Sequence, residues 1–440
     1  MANQLLPHLG ATLLAASLPS TVFAQDAAPP AAPPTLDAPE PLSAEEAETS
    51  PSTLMDALTQ GKTSLDFRYR FEGADQSFIA ERGWASTLRT ALGYETAKYQ
   101  SMSGFVEFES IDNVFGDSYN DTVNGKTARS IVADPDSTEV NQAFLRVDAA
   151  KDLELRLGRQ EISLGNDRFV GAVPWRQNHQ SFDGARGLYK VNDQMRLDYS
   201  FAMQVNRIFG DESAKGDEQL LAHFLDFRYD VDQRTKLAAY GMMVDFDQSA
   251  ALSAQTLGLR GSTNQKAGKM FGEDVNLGFT AEFATQKDAA DNPIEIDQDY
   301  LFLEASAAVA RWKLTLATET LGGSGDPGDK FSTPFATLHK FNGFADVFLN
   351  TPDGGLEDNY IQLATNFDMP ALAAPLTVAA TYHDFNSDAG SNSYGNELDL
   401  NVIAPLSKRM KLGLRYADFN GKNGLGDTNR FMAWLNFRVL

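Results

Sequence analysis

The stretch "SLDFRYRFE" at residues 64–72 alternates without a break. Leu65, Phe67, Tyr69 and Phe71 fall on one side of an extended chain, and Asp66, Arg68, Arg70 and Glu72 on the other. That period of two predicts a strand with one apolar and one ionic face. In a soluble sandwich the apolar face packs inward; in an outer-membrane barrel it meets lipid, and the ionic face lines a wet lumen. The repetition of the pattern decides between them. Strands are predicted at 63–72, 84–96, 102–111, 139–148, 152–159, 184–191, 195–205, 220–229, 235–246, 254–261, 274–285, 299–309, 312–321, 360–367, 376–383, 396–403, 411–417 and 430–440, eighteen in all. Long connections (112–138, 160–183, 206–219, 286–298, 322–359, 384–395, 418–429) alternate with tight ones such as "VARW" at 309–312 and "PLSK" at 405–408. Short turns on one side, long loops on the other and an even strand number are the pattern of a membrane barrel. Closure follows from the solvent: an unpaired backbone group in lipid costs several kcal/mol, so the sheet can have no edge. The reading is therefore an all-β, closed antiparallel transmembrane barrel over 61–440.

Composition narrows the alternatives. The formal net charge of −23 argues against a nucleic-acid partner, which needs a basic face. Cysteine is absent, which removes thiol catalysis, disulfides and cysteine-ligated metals. No run of 18 apolar residues exists, so no membrane helix is expected. Residues 5–24 are apolar and end in Val22-Phe23-Ala24, a cleavage-site pattern, so 1–24 is read as a signal peptide. No Lys or Arg precedes Lys62, and a start codon upstream would account for the missing positive n-region. Residues 25–60 are rich in Ala, Pro and acids, the composition of a disordered periplasmic leader. Within it "STLMDALTQG" (52–61) suits a short helix.

The chemistry-bearing candidates are arginines. The segment "RQEISLGNDRFVGAVPWRQNHQSFDGAR" (159–186) carries Arg159, Arg168, Arg176 and Arg186 among Gln, Asn and aromatics, and lies in a long outer connection. A connection of that length without strand pattern is usually functional or disordered, and Phe169, Trp175 and Phe182 oppose disorder. We expect it to fold into the lumen and bring Arg168 and Arg176 to the narrowest point, where a planar guanidinium suits carboxylates. The competing expectation is that Asp167 and Asp183 neutralise these arginines and the segment only clasps the wall. By strand alternation, Arg68, Arg70, Arg89, Arg146, Arg156, Arg196, Arg228, Lys313, Arg415 and Arg438 face the lumen. So do Asp66, Glu72, Glu95, Glu107, Glu109, Glu154, Asp198, Asp226, Glu304, Glu319, Glu397 and Asp399, which nearly balance them. From these sets Arg68, Arg70, Arg89, Arg146, Arg156, Arg159, Arg168, Trp175, Arg176, Arg186 and Arg415 are the candidate selectivity and solute-binding residues.

Enzymatic signals are weak. "GSGDPG" (323–328) fits a Gly-rich pattern but opens no helix and reads as a turn. His179, His223, His339 and His383 have no metal spacing. Neither catalysis nor a cofactor or metal is expected.

Several stretches together resemble the alginate export family of outer-membrane proteins. The most distinctive block holds Gly158-Arg159-Gln160, "RFVG" (168–171), "WRQN" (175–178) and "SFDGAR" (181–186). "TPFATLHKFNGFADVFLNTP" (333–352), "GNELDLNV" (395–402), and "YADFNG" with "DTNRFMAWL" (416–435) are similar as well. So are "TLRTALGYET" (87–96) and "VADPDSTEVNQAFLRV" (132–147), which extends the resemblance over roughly 63–440. It implies an 18-stranded barrel in the outer membrane of a Gram-negative bacterium, conducting polyuronate or another solute. The expected partners are outer-membrane lipid, the barrel assembly machinery and an anionic oligo- or polysaccharide, with the barrel monomeric. A general diffusion porin with an uptake role stays open beside that reading, as does a barrel-type surface hydrolase or adhesin.

Overall fold

The computed structural model describes residues 51–440; the expected signal peptide (1–24) and the leader up to residue 50 lie outside the described residues. A short helix, α1 (Leu54–Thr59), precedes the sheet. Thr53 caps it, its side chain accepting from the Asp56 N–H while the Asp56 carboxylate accepts from the Thr53 N–H.

Eighteen antiparallel strands follow. The first nine are β1 (Lys62–Gln76), β2 (Gly83–Glu95), β3 (Met102–Ser118), β4 (Ser137–Ala150), β5 (Leu153–Gln160), β6 (Ser181–Lys190), β7 (Met195–Asn206), β8 (Asp217–Asp230) and β9 (Thr235–Phe246). The others are β10 (Ala254–Met270), β11 (Glu273–Asp288), β12 (Asp297–Val309), β13 (Trp312–Leu321), β14 (Leu356–Phe367), β15 (Leu376–Asn386), β16 (Ser393–Ser407), β17 (Met410–Gly421) and β18 (Thr428–Arg438). Each strand pairs with its sequence neighbours, and β1 pairs with both β2 and β18, so the barrel closes. Arg438 Nε reaches Asp66 Oδ1 at 2.9 Å across the closing pair.

The predicted strands are all present, and most extend farther at the outer end. β10 differs most: beyond the Thr263↔Thr235 pair it leaves β9 and continues with β11 alone as a hairpin at the short-turn end. "NQKAGK" lacks alternation because it is solvated on both faces. The hairpin turns at Phe271 (φ 55°) and Gly272 (φ 86°), the left-handed pair that a two-residue turn requires.

The outer face carries large exposed hydrophobics, among them Leu257, Leu259, Phe279, Phe283, Leu301 and Leu303. A continuous apolar belt of this kind is intolerable in water and expected against lipid. The inner face is ionic only in part. In its outer half Phe182, Leu220, Phe224 and Phe246 also point inward and are buried. They have something to pack against, because two long connections, 161–180 and 322–355, fold into the lumen.

Candidate functional site

The first infolded segment turns on left-handed residues at Gly165, Asp167 and Val173 (φ 60°, 67° and 54°). A β-branched residue in that region costs on the order of 1–3 kcal/mol, so the surroundings must hold it. Two wall arginines of β1 do so. Arg68 donates to the Pro174 carbonyl, and its Nη2 donates to the Trp175 carbonyl at 3.0 Å. Arg70 Nη1 donates to the same Trp175 carbonyl at 2.6 Å. The Trp175 indole is fully buried: His339 stacks on it at 4.0 Å and 7°, and Trp434 of β18 meets it edge-on at 5.1 Å. The guanidiniums of Arg70 and Arg415 stand 4.1 and 4.6 Å from its ring centre.

The second segment meets the first backbone to backbone. Gly171 N–H donates to the Phe335 carbonyl at 2.9 Å, and Thr337 N–H donates to the Asp167 carbonyl at 3.0 Å. Any Cβ at Gly171 would sit 2.3 Å from Thr337 Oγ1, so this crossing needs glycine. Phe335 then packs against Phe182, Phe224 and Phe246, joining both segments to the wall. "GSGDPG" lies in this second segment as a turn, with Gly325 and Gly328 at φ 91° and 86°.

Ion pairs complete the assembly. Arg168 Nε reaches Glu319 of β13 at 2.7 Å, and its Nη2 donates to Asn342 Oδ1 at 3.0 Å. Arg176 Nη2 reaches Asp346 at 2.7 Å and its Nη1 lies 3.8 Å from Glu72. Burial alone would lower both guanidinium pKa values; Glu319 and Asp346 reverse that, and both stand above the ordinary range. Glu72 also binds Arg70 and, at 2.6 Å, Arg430. His339 Nδ1 lies 2.7 Å from Asp346, yet burial pushes the imidazole down to about 3, so the ring is neutral. The acids expected to neutralise the two central arginines serve others: Asp183 pairs with Arg159 at 2.7 Å and Asp167 with Lys340 at 3.2 Å. The true partners lie 151 and 170 residues away in the chain.

The remaining candidates line the wall. Arg89 binds Glu109 at 2.7 Å. In the short-turn half, Arg146, Arg156 and Arg186 stand directly opposite one another on β4, β5 and β6. They pair with Glu95 at 2.5 Å, Glu154 at 2.6 Å and Asp198 at 2.5 Å; the first two pairs are part-exposed and the third is nearly covered. Near them a cavity of about 850 Å³ is lined by Glu154, Ser163, Arg186, Arg196, Asp198 and Arg228, among others. Arg196 of β7, Lys236 of β9 and Lys313 of β13 face the lumen at the same end, and make no ion pair or hydrogen bond among the described residues.

Sequence reasoning passed over Lys236, Arg430, Asp346, Asp358 and the Arg260–Glu282 pair. Alternation would have found Lys236, Arg430 and Glu282, which share their strands' lumenal register with Tyr240, Met432 and Thr280. Nothing local marks Asp346, which sits in the second infolded segment.

A family profile described as "Alginate export" matches residues 59–310. Among solved structures, the fold is similar to that of Acinetobacter baumannii OccAB4 (16% identity, TM-score 0.65, covering 86% of this chain and 98% of that one). Acinetobacter baumannii OccAB2 is similar too (14% identity, TM-score 0.66, 87% and 99% covered). So is Pseudomonas aeruginosa OpdK with vanillate (15% identity, TM-score 0.63, 87% and 99% covered). At such identities the likeness speaks for the fold alone. No curated protein matches the chain.

Proposed function

The chain belongs to the alginate export family of outer-membrane β-barrels, and from that premise we propose that its lumen conducts carboxylate-bearing solutes, short uronate oligomers or smaller anions. The barrel is a channel of the outer membrane, similar in fold to the Occ porins. The observation that carries the proposal is the distribution of cations below the infolded segments. The Arg146–Arg156–Arg186 row spans three adjacent strands, and Arg196, Lys236 and Lys313 lack any acid partner among the described residues. Cations that no carboxylate neutralises give a lumen its sign, because fixed charge sets which ions concentrate there. Guanidiniums also suit a carboxylate through paired N–H donors. The OpdK structure with vanillate supports a carboxylate as the class of solute. A long polymer is disfavoured by the two segments that cross the lumen, hence the preference for short oligomers.

The test is reversal potential in a salt gradient across a planar bilayer. Wild-type protein is expected to favour anions, and an Arg196→Gln, Lys236→Gln, Lys313→Gln variant is expected to lose most of that preference. A general diffusion porin is the second reading, favoured by the acids that already pair the arginine row. Equal anion and cation permeability in wild type would establish it and remove the first.

A further inference from the structure

The turn at 341–346 is built unlike the rest of the infolded chain. Asn342 and Gly343 both take left-handed backbone angles (φ 55° and 86°), which presents two successive N–H groups to the same side. Phe344 N–H donates to Asp399 Oδ2 at 3.0 Å, and Ala345 N–H donates to Glu397 Oε1 at 2.7 Å. These two carboxylates stand two residues apart on β16, on one face, and both are buried. Glu397 Oε2 and Asp399 Oδ1 accept no hydrogen bond. Beside them Arg415 of β17 lays its guanidinium 4.2 Å from the Phe344 ring centre. Its Nε donates to Asn401 Oδ1 at 3.2 Å, and its buried Nη1 has no hydrogen-bond partner. Two convergent backbone N–H groups beside an unmet guanidinium N–H are the parts of a carboxylate site. Here the chain's own carboxylates fill it.

The same turn is tied to the wall on other strands as well. Asn342 Nδ2 donates to Glu319 of β13 at 2.6 Å, and Arg430 Nε of β18 donates to the Ala345 carbonyl at 2.8 Å. Arg176 ties its end, Asp346, to the first segment. The hold on β16 is the exchangeable part. The two carboxyls crowd one face with only His383, 3.6 Å from Asp399 Oδ2, as an ionic partner among the described residues, and each keeps an unmet oxygen, so they lose little by moving into water if another carboxylate takes the N–H groups.

We propose that the 341–346 turn with Arg415 is a carboxylate-binding latch, occupied by Glu397 and Asp399 when the lumen is closed and released when a carboxylate solute displaces them. The proposal rests on the reading of the barrel as an anion channel and deepens it: the solute class that passes is the one that opens the path.

Single-channel recording of the full chain in planar bilayers tests it, with galacturonate added against glucose as the neutral match. Galacturonate is expected to raise open probability on the order of tenfold and glucose to leave it unchanged. Glu397→Leu with Asp399→Leu removes the acceptors, so the channel should stay open and ignore galacturonate. Gly343→Ala serves if that variant does not insert. Its Cβ would lie 2.5 Å from Glu397 Oε2, so it should push the turn off β16 and open the channel with every charge retained. Wild type indifferent to galacturonate overturns the latch, and so does Gly343→Ala gating like wild type. Reversal potential separates the two claims: anion preference without a galacturonate response sinks the latch alone, and a response without anion preference sinks the selectivity reading alone.

Discussion

The two halves of the lumen use the same residue type for opposite purposes. In the outer half, Arg70, Arg176 and Arg430 converge on one buried carboxylate, Glu72, and Arg168 is enclosed with Glu319. In the half that ends at the short turns, Arg146 and Arg156 share Glu154 and stay part-exposed, Arg186 holds Asp198, and Arg196 holds no acid among the described residues. Whether an infolded segment covers the side chain makes the difference. A covered guanidinium needs acids or carbonyl and amide oxygens around it, because an unmet buried charge costs several kcal/mol, and it then serves as a fastener. An uncovered one keeps its hydration and is free to meet a solute.

The largest way to break this contrast is Glu72→Ala, which takes from buried Arg430 its acid partner and leaves Arg70 and Arg176 only Asp134 and Asp346. A loss of about 3–5 kcal/mol is expected, read as a lower thermal midpoint in detergent, together with raised conductance as the segments loosen. A midpoint unchanged from wild type would mean that the outer arginines are not fasteners. Trp175→Ala comes next, at roughly 3–5 kcal/mol, since it empties a packed site between His339, Trp434 and the Arg70 and Arg415 guanidiniums. Its conductance should rise while ion selectivity, which we propose to be set in the other half, stays as it was.

The pH response sharpens the comparison further. His339 falls to about 3 when buried, against an ordinary 6.5, so the released segment takes up its proton first as pH falls. Its contribution to holding the segments is complete above pH 6.5 and is lost progressively toward pH 3. His179, also pushed down by burial and by the Arg89 guanidinium, acts in the same direction. Acid should therefore raise conductance between those limits, and His339→Phe, which keeps the stack on Trp175, should shrink the response. An undiminished response would assign it elsewhere. The smallest effect on stability belongs to Arg146→Gln. Its pair with Glu95, part-exposed on both sides, contributes about 0–1 kcal/mol, so the thermal midpoint should hardly move. A large drop would show that this half is also load-carrying structure and not an open ionic surface.

Much of this was legible before folding. Period-two alternation marks each strand and assigns Arg68, Arg70, Arg146 and Arg156 to the inner face, because side-chain direction in a strand depends only on position. The length and aromatic content of 160–183 and 322–359 marked them as exceptional connections. What could not be read locally was the dryness of the outer lumen. Leu220 and Phe224 sit at inward positions on β8, where a wet channel would want polar groups, and only the infolded segments, with Ile162, Leu164 and Val170 from one and Phe335 from the other, explain them. The same holds for charge. Asp167 and Asp183 are the near acids, and neither binds Arg168 or Arg176.

Strand number, barrel closure and the facing of each wall residue were thus determined by the sequence itself, since a two-residue period and the absence of water in lipid act on every strand alone. Which arginines fasten and which remain free was decided by the tertiary structure. Pairing depends on what covers a guanidinium, and Glu319, Asp346 and Glu72 reach theirs only after the chain has crossed its own lumen.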